Sequence, residues 1–231
     1  MVMDMKKILI IAAHPDDEIL GCGGTMAKHV LEGDTVYVYI LAEGVTSRDQ
    51  NRCVDLRKEE LSDLRKSAIA ANTILGVTSV EFHDFPDNRM DGLELLDIVK
   101  IIEDKINEIK PDIIYTHYIN DLNIDHQIIC KAVITATRPL SGTKTPILLL
   151  FEVVSSTEWQ TPILPNFSPN WFVNISNTLN LKIQALEAYK SEMRIWPHPR
   201  SIEGIECLAK LRGATICVNA AEAFMLNKLI I

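Results

Sequence analysis

An uninterrupted apolar run at residues 8–13 ends abruptly in one imidazole and three carboxylates, those of His14, Asp16, Asp17 and Glu18. A short run rich in β-branched residues predicts a strand buried on both faces of a parallel sheet. Such strands do not normally end in clustered carboxylates, because these repel one another and lose hydration. A divalent cation would remove that cost. His14 and Asp17 offer it one nitrogen and one oxygen and leave Asp16 as a base, which suits a hydrolytic zinc site.

Strand-like and helix-like segments alternate along most of the chain, which is the pattern of βαβ units. We therefore predict an α/β fold of the Rossmann-like type, with three α/β/α layers, a mostly parallel sheet and a C-terminal cap. The predicted strands are 7–12, 35–41, 79–82, 112–116, 147–154 and 171–175. The predicted helices are 17–31, 54–75, 91–109, 125–137, 179–191 and 201–211.

The chain of 231 residues shows no internal repeat and no interdomain linker, so we expect a single domain over residues 1–231. Residues 1–155 would form the α/β core. Further on, residues 161–170 contain three prolines and little periodicity, which predicts a lid or wrapping loop. We expect residues 156–231 to cap the core rather than to fold independently.

Composition argues against several classes of partner. The net charge is −8 without a dense lysine and arginine cluster, whereas nucleic acids and anionic membranes need a basic surface. Since no apolar run reaches the roughly 18 residues of a membrane helix, we expect no membrane insertion. Five scattered cysteines without metal-binding spacing predict reduced thiols in a cytoplasmic protein. A small-molecule partner is expected, and a homo-oligomer stays open.

Polar loops follow the first four predicted strands, and in an open α/β sheet such loops gather at one edge. We place the candidate substrate-binding residues at this edge. Arg48 and Arg89 could hold a phosphate or a carboxylate, and Asp87 could accept hydrogen bonds from sugar hydroxyls. His198, which lies between two prolines, and Arg200 could reach over the site from a rigid loop.

His126 is the candidate for a third metal ligand. It lies just inside a predicted helix, with Asp125 before it as the predicted N-cap. His14 and His126 can meet if the first and fourth strands lie close together in the sheet. Two nitrogens and one oxygen would leave coordination positions open for water, as catalytic zinc requires. The same donors also suit Fe²⁺, and Mn²⁺ stays open as well.

The segment AHPDDE at 13–18, the Gly-Gly-Thr at 23–25 and the later Asp125-His126 resemble the PIG-L/LmbE-like zinc-dependent deacetylases. Enzymes of that family remove acetyl groups from N-acetylglucosamine-type sugars. The resemblance implies zinc held by three residues, namely His14, Asp17 and His126. It also implies that Asp16 is the general base that takes the proton of the zinc-activated water during attack on the amide.

One position departs from the family pattern. Many members carry a histidine three residues before the second zinc-binding histidine, where this chain has Asn123. That histidine is taken to stabilise the oxyanion or to deliver a proton. An asparagine amide can donate a hydrogen bond but cannot transfer a proton. Asn123 therefore stays a candidate catalytic residue as a donor, and either His117 or Asp16 must supply the acid.

Three other functions remain open from the sequence. The same metal site could hydrolyse another small amide or an ester, or the chain could bind metal and sugar without catalysis. A nucleotide-cofactor enzyme is disfavoured. The glycines at 21, 23 and 24 do not have the spacing of a dinucleotide fingerprint, and acidic residues fill the place of a pyrophosphate. These glycines instead predict close packing of the first helix on the sheet.

Overall fold

The computed structural model describes residues 5–230 and joins its seven strands into one sheet. The strands are β1 (Lys7–Ala12), β2 (Thr35–Ala42), β3 (Ser79–Phe85), β4 (Ile113–His117), β5 (Ile147–Phe151), β6 (Trp171–Asn174) and β7 (Ala221–Lys228). The helices are α1 (Asp17–Leu31), α2 (Lys58–Leu75), α3 (Leu95–Ile109), α4 (Ile124–Ala136), α5 (Leu179–Glu187) and α6 (Ile202–Thr215). Short 3₁₀ turns occur at Thr46–Arg48, Asp55–Arg57, Met90–Gly92 and Thr157–Trp159.

The strand order across the sheet is β3-β2-β1-β4-β5-β7-β6. The pairings β2–β3, β1–β2, β1–β4 and β4–β5 are parallel, whereas β7 runs antiparallel to both β5 and β6. The chain leaves β1 toward one edge and returns to begin β4 on its other side. Ligands of such sheets bind at this reversal, beyond the carboxyl ends of the strands. The predicted proximity of the first and fourth strands is therefore confirmed.

Helices cover both faces of the sheet. Successive side chains of β1 point to opposite faces, because the side-chain repeat of a strand is two residues. Ile8 and Ile10 pack into a cluster with α1, α2 and α5, whereas Leu9 and Ile11 pack into a second cluster with α3 and α4. This arrangement confirms the predicted three-layer α/β/α fold with a mostly parallel sheet.

The C-terminal third adds strands to the sheet itself, which the sequence prediction of a cap did not include. β7 was not predicted, and it lies between β5 and β6 rather than at an edge. Its first half is buried, and Phe224 pairs with Phe151 of β5 and with Trp171 of β6. The predicted domain spans residues 1–231, and its terminal residues 1–4 and 231 lie outside the described range.

α1 packs closely against its neighbours at two glycines. A Cβ at Gly21 would overlap the ring of Phe151, and one at Gly24 would lie 2.8 Å from Ile175. The helix is kinked at Cys22, whose φ of −148° is not helical. The glycines after the metal-site motif therefore serve close packing on the sheet, as predicted. Within residues 5–230, no helix combines the length and the apolar character needed to cross a bilayer.

Candidate metal centre

The turn between β1 and α1 presents the motif side chains at the reversal point. Asp16 has a φ of 117°, in the left-handed region that non-glycine residues seldom occupy. Its side chain does not cap α1. The backbone N–H of His14 donates instead to Oδ2 of Asp17 at 2.8 Å, and the N–H of Asp16 donates to Oε2 of Glu18 at 3.0 Å. A strained residue held this firmly is typical of a functional site.

His14, Asp17 and His126 come together as the sequence predicted. Oδ2 of Asp17 lies 3.2 Å from Nδ1 of His14 and 3.1 Å from Nε2 of His126. One ligand atom from each of the three residues lies within 4.8 Å of the other two, a spacing that could hold a metal ion. The turn after β1 supplies His14, α1 supplies Asp17, and α4, which follows β4, supplies His126.

In each of the two histidines, the ring nitrogen that does not face Asp17 lies close to another carboxylate. Nε2 of His14 lies 3.0 Å from Oδ2 of Asp125, and Nδ1 of His126 lies 3.1 Å from Oδ1 of Asp121. The second contact is a close approach of charges rather than an aligned hydrogen bond. Metal-binding histidines almost always have such a partner, which fixes the tautomer and the ring orientation.

A second group, His14 with Asp87 and Asp125, also satisfies the spacing for a metal. The carboxylate oxygens of this group already accept hydrogen bonds. Both oxygens of Asp125 accept backbone N–H groups, and the two oxygens of Asp87 accept hydrogen bonds from Ser47 and Asn88. Oδ1 of Asp17, in contrast, is buried and has no hydrogen-bond partner among the described residues. An orphaned buried acceptor calls for a ligand. The donor chemistry therefore favours a cation at Asp17.

The surroundings of both imidazoles favour positive charge. Burial lowers the pKa of His126, but Asp17 and Asp121 outweigh it and raise that pKa to about 9. Burial likewise opposes charge on His14, yet Asp125, Asp17 and Asp87 hold its pKa well above the ordinary value. Burial raises the pKa of Asp16 to about 8, against the opposing effect of Arg200. A bound cation would supply the positive charge that these carboxylates attract, so the residues present fit a divalent metal.

Asn123, and not Asp125, is the N-cap of α4. Its Oδ1 accepts hydrogen bonds from the backbone N–H groups of Asp125 at 2.9 Å and His126 at 3.4 Å. The prediction of Asp125 as the cap was wrong, because its carboxylate is held by the loop after β3. The Asn123 side chain borders the cavity described next, so its amide group remains available as a donor.

A cavity of about 190 Å³ opens beside the metal centre. The sequence-predicted residues that line it are His14, Asp16, Arg48, Asp87 and Asn123. Nη2 of Arg48 donates to both carboxylate oxygens of Glu192, at 2.9 and 3.0 Å. Asp87 accepts from the backbone of Ser47 at 2.9 Å. The arginine predicted to hold an anion is therefore already paired.

Of the predicted catalytic and substrate-binding residues, His117, Arg89 and His198 do not line the cavity. His117 is fully buried beneath the metal centre, where its Nε2 accepts the backbone N–H of Ala13 at 2.8 Å. Burial lowers its pKa well below the ordinary value, so the ring is neutral. It stacks on His126 with ring centroids 3.9 Å apart. This location gives His117 no path to protonate a substrate in the cavity.

Arg89 and His198 also lie outside the cavity lining. Arg89 donates Nη2 to the backbone carbonyl of Gln50 at 3.1 Å, so its guanidinium is bonded to the loop after β2. Nδ1 of His198 accepts a hydrogen bond from the backbone N–H of Arg200 at 3.0 Å. This histidine therefore stabilises its own loop and does not line the cavity.

The C-terminal region supplies two further site residues, Arg200, which the sequence predicted to reach over the site, and Glu192, which it did not predict. Nη1 of Arg200 donates to Oδ2 of Asp16 at 2.7 Å, and Glu192 binds Arg48 across the same cavity. The proline-bounded loop before Arg200 was a sequence signal for the first. No local signal marks Glu192.

Comparison with known proteins bears on this site. Residues 9–137 match the family model described as PIG-L, GlcNAc-PI de-N-acetylase. The deacetylase YaiS of Escherichia coli K12, itself uncharacterized, is 29% identical over 192 residues, which span 80% of this chain and 91% of that protein. A 4-oxalmesaconate hydratase of Pseudomonas putida is 24% identical over 203 residues, with 84% and 76% covered.

The fold recurs in solved structures. The N,N′-diacetylchitobiose deacetylase of Pyrococcus horikoshii superposes with a TM-score of 0.75 at 20% identity, covering 96% of this chain and 84% of that one. At this identity the likeness shows a shared architecture. It places the β1–α1 turn described above in a fold that also carries a deacetylase.

Proposed function

Because this chain belongs to the PIG-L/LmbE-like deacetylase family, we propose that it is a metal-dependent hydrolase of N-acetylated amino sugars. It would remove the acetyl group from an N-acetylglucosamine-type sugar or sugar conjugate. The observation that carries the proposal is the position of Asp16. Its carboxylate borders the cavity directly beside the group formed by His14, Asp17 and His126, and it is not needed to cap α1.

The metal would be held by His14, Asp17 and His126. Two histidine nitrogens and one carboxylate oxygen form a donor set that catalytic zinc commonly takes, with Fe²⁺ and Mn²⁺ as the competing ions. When bound, zinc supplies Lewis-acid polarisation and lowers the pKa of water from about 16 toward about 7. Asp125 and Asp121 orient the two imidazoles for that ion.

Asp16 is the proton carrier of the proposed reaction. Its carboxylate would accept a proton from the attacking water and then donate that proton to the departing amine nitrogen. His117 is excluded from the second role by its burial and by its bond to Ala13. Asp16 therefore serves in both steps.

The cavity favours a neutral substrate over an anionic one. Arg48 is paired with Glu192, and Arg200 is paired with Asp16, so the charge of each guanidinium is already balanced by a carboxylate before a substrate binds. Asp87 and Glu192 can accept hydrogen bonds from sugar hydroxyls. The hydratase relative is named for a carboxylate substrate, and these paired arginines argue against that chemistry here.

The test is acetate release from a panel of N-acetylated sugars, measured together with the metal content of the purified protein. Wild-type protein should contain about one metal ion per chain and release acetate. Asp16→Asn should keep the metal and lose turnover, because the amide is isosteric but cannot accept the proton. The panel also includes simple amides and esters. Turnover of these compounds alone would contradict the assignment of an acetylated sugar as the substrate.

Two further outcomes decide between the competing functions. Metal binding without acetate from any member of the panel would contradict the deacetylase, and hydration of an unsaturated carboxylate would then favour the hydratase. Activity that ignores chelators would contradict the metal centre.

A further inference from the structure

Arg200 links the C-terminal region to the proposed base. Nη1 of Arg200 donates to Oδ2 of Asp16 at 2.7 Å, and Nε donates to Oγ of Ser155 at 2.7 Å. Its backbone N–H donates to Nδ1 of His198, whose ring contacts Trp159 edge-on. The guanidinium is therefore fixed at two points and the backbone of Arg200 at a third, while the residue borders the cavity. Nη2 makes no hydrogen bond within residues 5–230, so one edge of this cation remains free as a donor.

We propose that Arg200 holds the oxyanion that develops on the amide carbonyl of the substrate, while it orients the carboxylate of Asp16. This inference rests on the proposed function. Amide hydrolysis requires a fixed donor for the oxygen that gains charge, and preorganised donors of this kind give one of the largest rate contributions in enzymes. A guanidinium already joined to the base lies next to the place where the water attacks.

Two other donors that border the cavity are held by carboxylates. Nη2 of Arg48 donates to both oxygens of Glu192, and Nδ2 of Asn88 donates to Asp87 at 2.9 Å. The amide of Asn123 is a rival donor, because only its oxygen is used in capping α4. It bears no charge, whereas hydrogen bonds from a charged donor are about twice as strong as those between neutral groups.

The assigned step balances in atoms and charge. The water oxygen forms a bond to the carbonyl carbon, the π pair moves to the carbonyl oxygen, and one water proton passes to Asp16. Arg200 donates hydrogen bonds to that oxygen and to Asp16 but transfers no proton, since a guanidinium stays protonated. Collapse restores the carbonyl, breaks the C–N bond and returns the proton from Asp16 to the amine nitrogen.

Substitution of Arg200 separates this role from a structural one. Arg200→Ala should lower kcat by about 100- to 1,000-fold, as loss of one oxyanion donor does, and should change KM by less than about threefold. Added guanidinium should restore part of kcat in Arg200→Ala, and Arg200→Lys should retain part of it. The metal content should stay at the wild-type level. Arg194→Ala is the matched control, because Arg194 is bonded to main-chain carbonyls of its own loop and lies outside the cavity.

A separate variant tests the amide of Asn123, the rival donor. Asn123→Ser keeps an oxygen that can cap α4 and removes the amide donor. Asn123→Ser should lower kcat by much less than Arg200→Ala does, because the donor that it removes is uncharged. A loss of kcat in Asn123→Ser as large as in Arg200→Ala, or an Arg200→Ala enzyme with wild-type kcat, would overturn the assignment. A loss that guanidinium cannot restore, together with lost metal, would also overturn it.

Acetate binding tests Arg200 without turnover. The acetate carboxylate presents an anionic oxygen like the one that Arg200 would hold, so Arg200→Ala should weaken acetate binding by about tenfold or more, and Asn123→Ser should not. If wild-type protein releases no acetate from any sugar, the proposed function fails, and this comparison still decides the role of Arg200. Wild-type protein that neither releases nor binds acetate would overturn both.

Discussion

Asp125 ties the loop after β3 to the metal centre. Its Oδ1 accepts the backbone N–H of Met90 at 3.0 Å, and its Oδ2 accepts the N–H of Asn88 at 2.6 Å. Oδ2 also lies 3.0 Å from Nε2 of His14. An acceptor at this distance places the imidazole proton on Nε2 and leaves Nδ1 free for a metal. The carboxylate of Asp125 thus fixes both the loop after β3 and the tautomer of His14.

We predict that Asp125→Asn weakens metal affinity by about 10- to 100-fold, the usual effect of losing the partner of a metal-binding histidine. The amide cannot accept with both of its polar atoms, so the ring of His14 loses its fixed tautomer. Competition with a chromogenic chelator measures the change. Asp104→Asn, on the exposed side of α3, serves as the control. Unchanged affinity in Asp125→Asn would contradict the proposed orienting role.

His29, near the end of α1, is a partly buried histidine with a partner on each ring nitrogen. Its Nδ1 lies 2.7 Å from Oδ2 of Asp34, and its Nε2 lies 3.0 Å from the hydroxyl of Tyr115. Burial lowers its pKa below 6.5, although Asp34 acts in the opposite direction. The folded protein therefore prefers the neutral ring.

This preference predicts how the stability contributed by His29 depends on pH. The unfolded chain binds the proton more readily, so the contribution is complete above about pH 6.5 and is lost as the pH falls through the lower pKa of the folded state. His29→Gln should cost about 1 kcal/mol at pH 8 and less at pH 5. Urea unfolding at both pH values measures the difference. Lys28→Gln should show an effect that does not change with pH, and a cost of His29→Gln that grows toward acid would contradict the interpretation.

The kink in α1 is held by a buried ion pair from later elements. Oε1 and Oε2 of Glu222, in β7, accept the backbone N–H groups of Gly24 at 3.0 Å and Thr25 at 2.7 Å. Nζ of Lys182, in α5, donates to Glu222 at 2.6 Å and to the carbonyl of Leu20 at 2.8 Å. The backbone groups that the kink frees from the helix are thereby paired, as buried polar groups must be.

Glu222→Gln should therefore destabilise the protein by about 3–5 kcal/mol, because it leaves the ammonium of Lys182 buried without its carboxylate. The double variant Lys182→Met with Glu222→Gln should recover part of that loss, since the unpaired charge is gone. Urea unfolding measures both. Glu206→Gln breaks an exposed pair with Lys210 and should cost less than about 0.5 kcal/mol. A cost of Glu222→Gln no larger than this control would refute the buried pair as a stabilising element.

Local signals in the sequence predicted most elements of the fold. The bounds of β1 and α1 match the prediction residue for residue, because an apolar run, a turn and a helical period follow one another without ambiguity. Gly76, in the left-handed conformation, ends α2 where the helix predicted over 54–75 was expected to end. β7 was missed because its burial changes along the strand: the first half is buried and the second is not, so neither alternation nor a continuous apolar run appears.

The candidate site was predictable only where its residues are local or lie in a recognisable motif. Arg200 reaches Asp16 across 184 positions of the chain, and Glu192 reaches Arg48 across 144. Such pairs arise from the sheet order and leave no trace in local spacing. The prediction of Asp125 as the cap of α4 failed for the same reason. The carboxylate of Asp125 accepts hydrogen bonds from the distant loop after β3, which local sequence does not reveal.

We propose that the C-terminal third forms one cooperative unit with the α/β core. β7 lies inside the sheet, and the same region supplies Glu192, Arg200 and Glu222 to the site and to α1. These contacts support the proposal that residues 1–231 act as one domain. They also explain how the site gains residues that the first 155 positions do not contain.

We predict that a chain ending after residue 219 does not reach the native fold, because it lacks β7 and exposes the apolar edges of β5 and β6. Far-UV and near-UV circular dichroism together with urea unfolding measure the outcome. A chain ending at Lys228 should unfold at the same urea concentration as the full chain, because Leu229 and Ile230 are exposed. Cooperative unfolding of the shorter chain would contradict the single unit.

The most direct test of the account is the position of the metal, measured by anomalous X-ray diffraction at the zinc edge from crystals of the zinc-loaded protein. The account predicts one peak about 2.0–2.2 Å from a nitrogen of His14, an oxygen of Asp17 and a nitrogen of His126. A peak among His14, Asp87 and Asp125 instead, or no peak at the carboxyl end of β1, would contradict it.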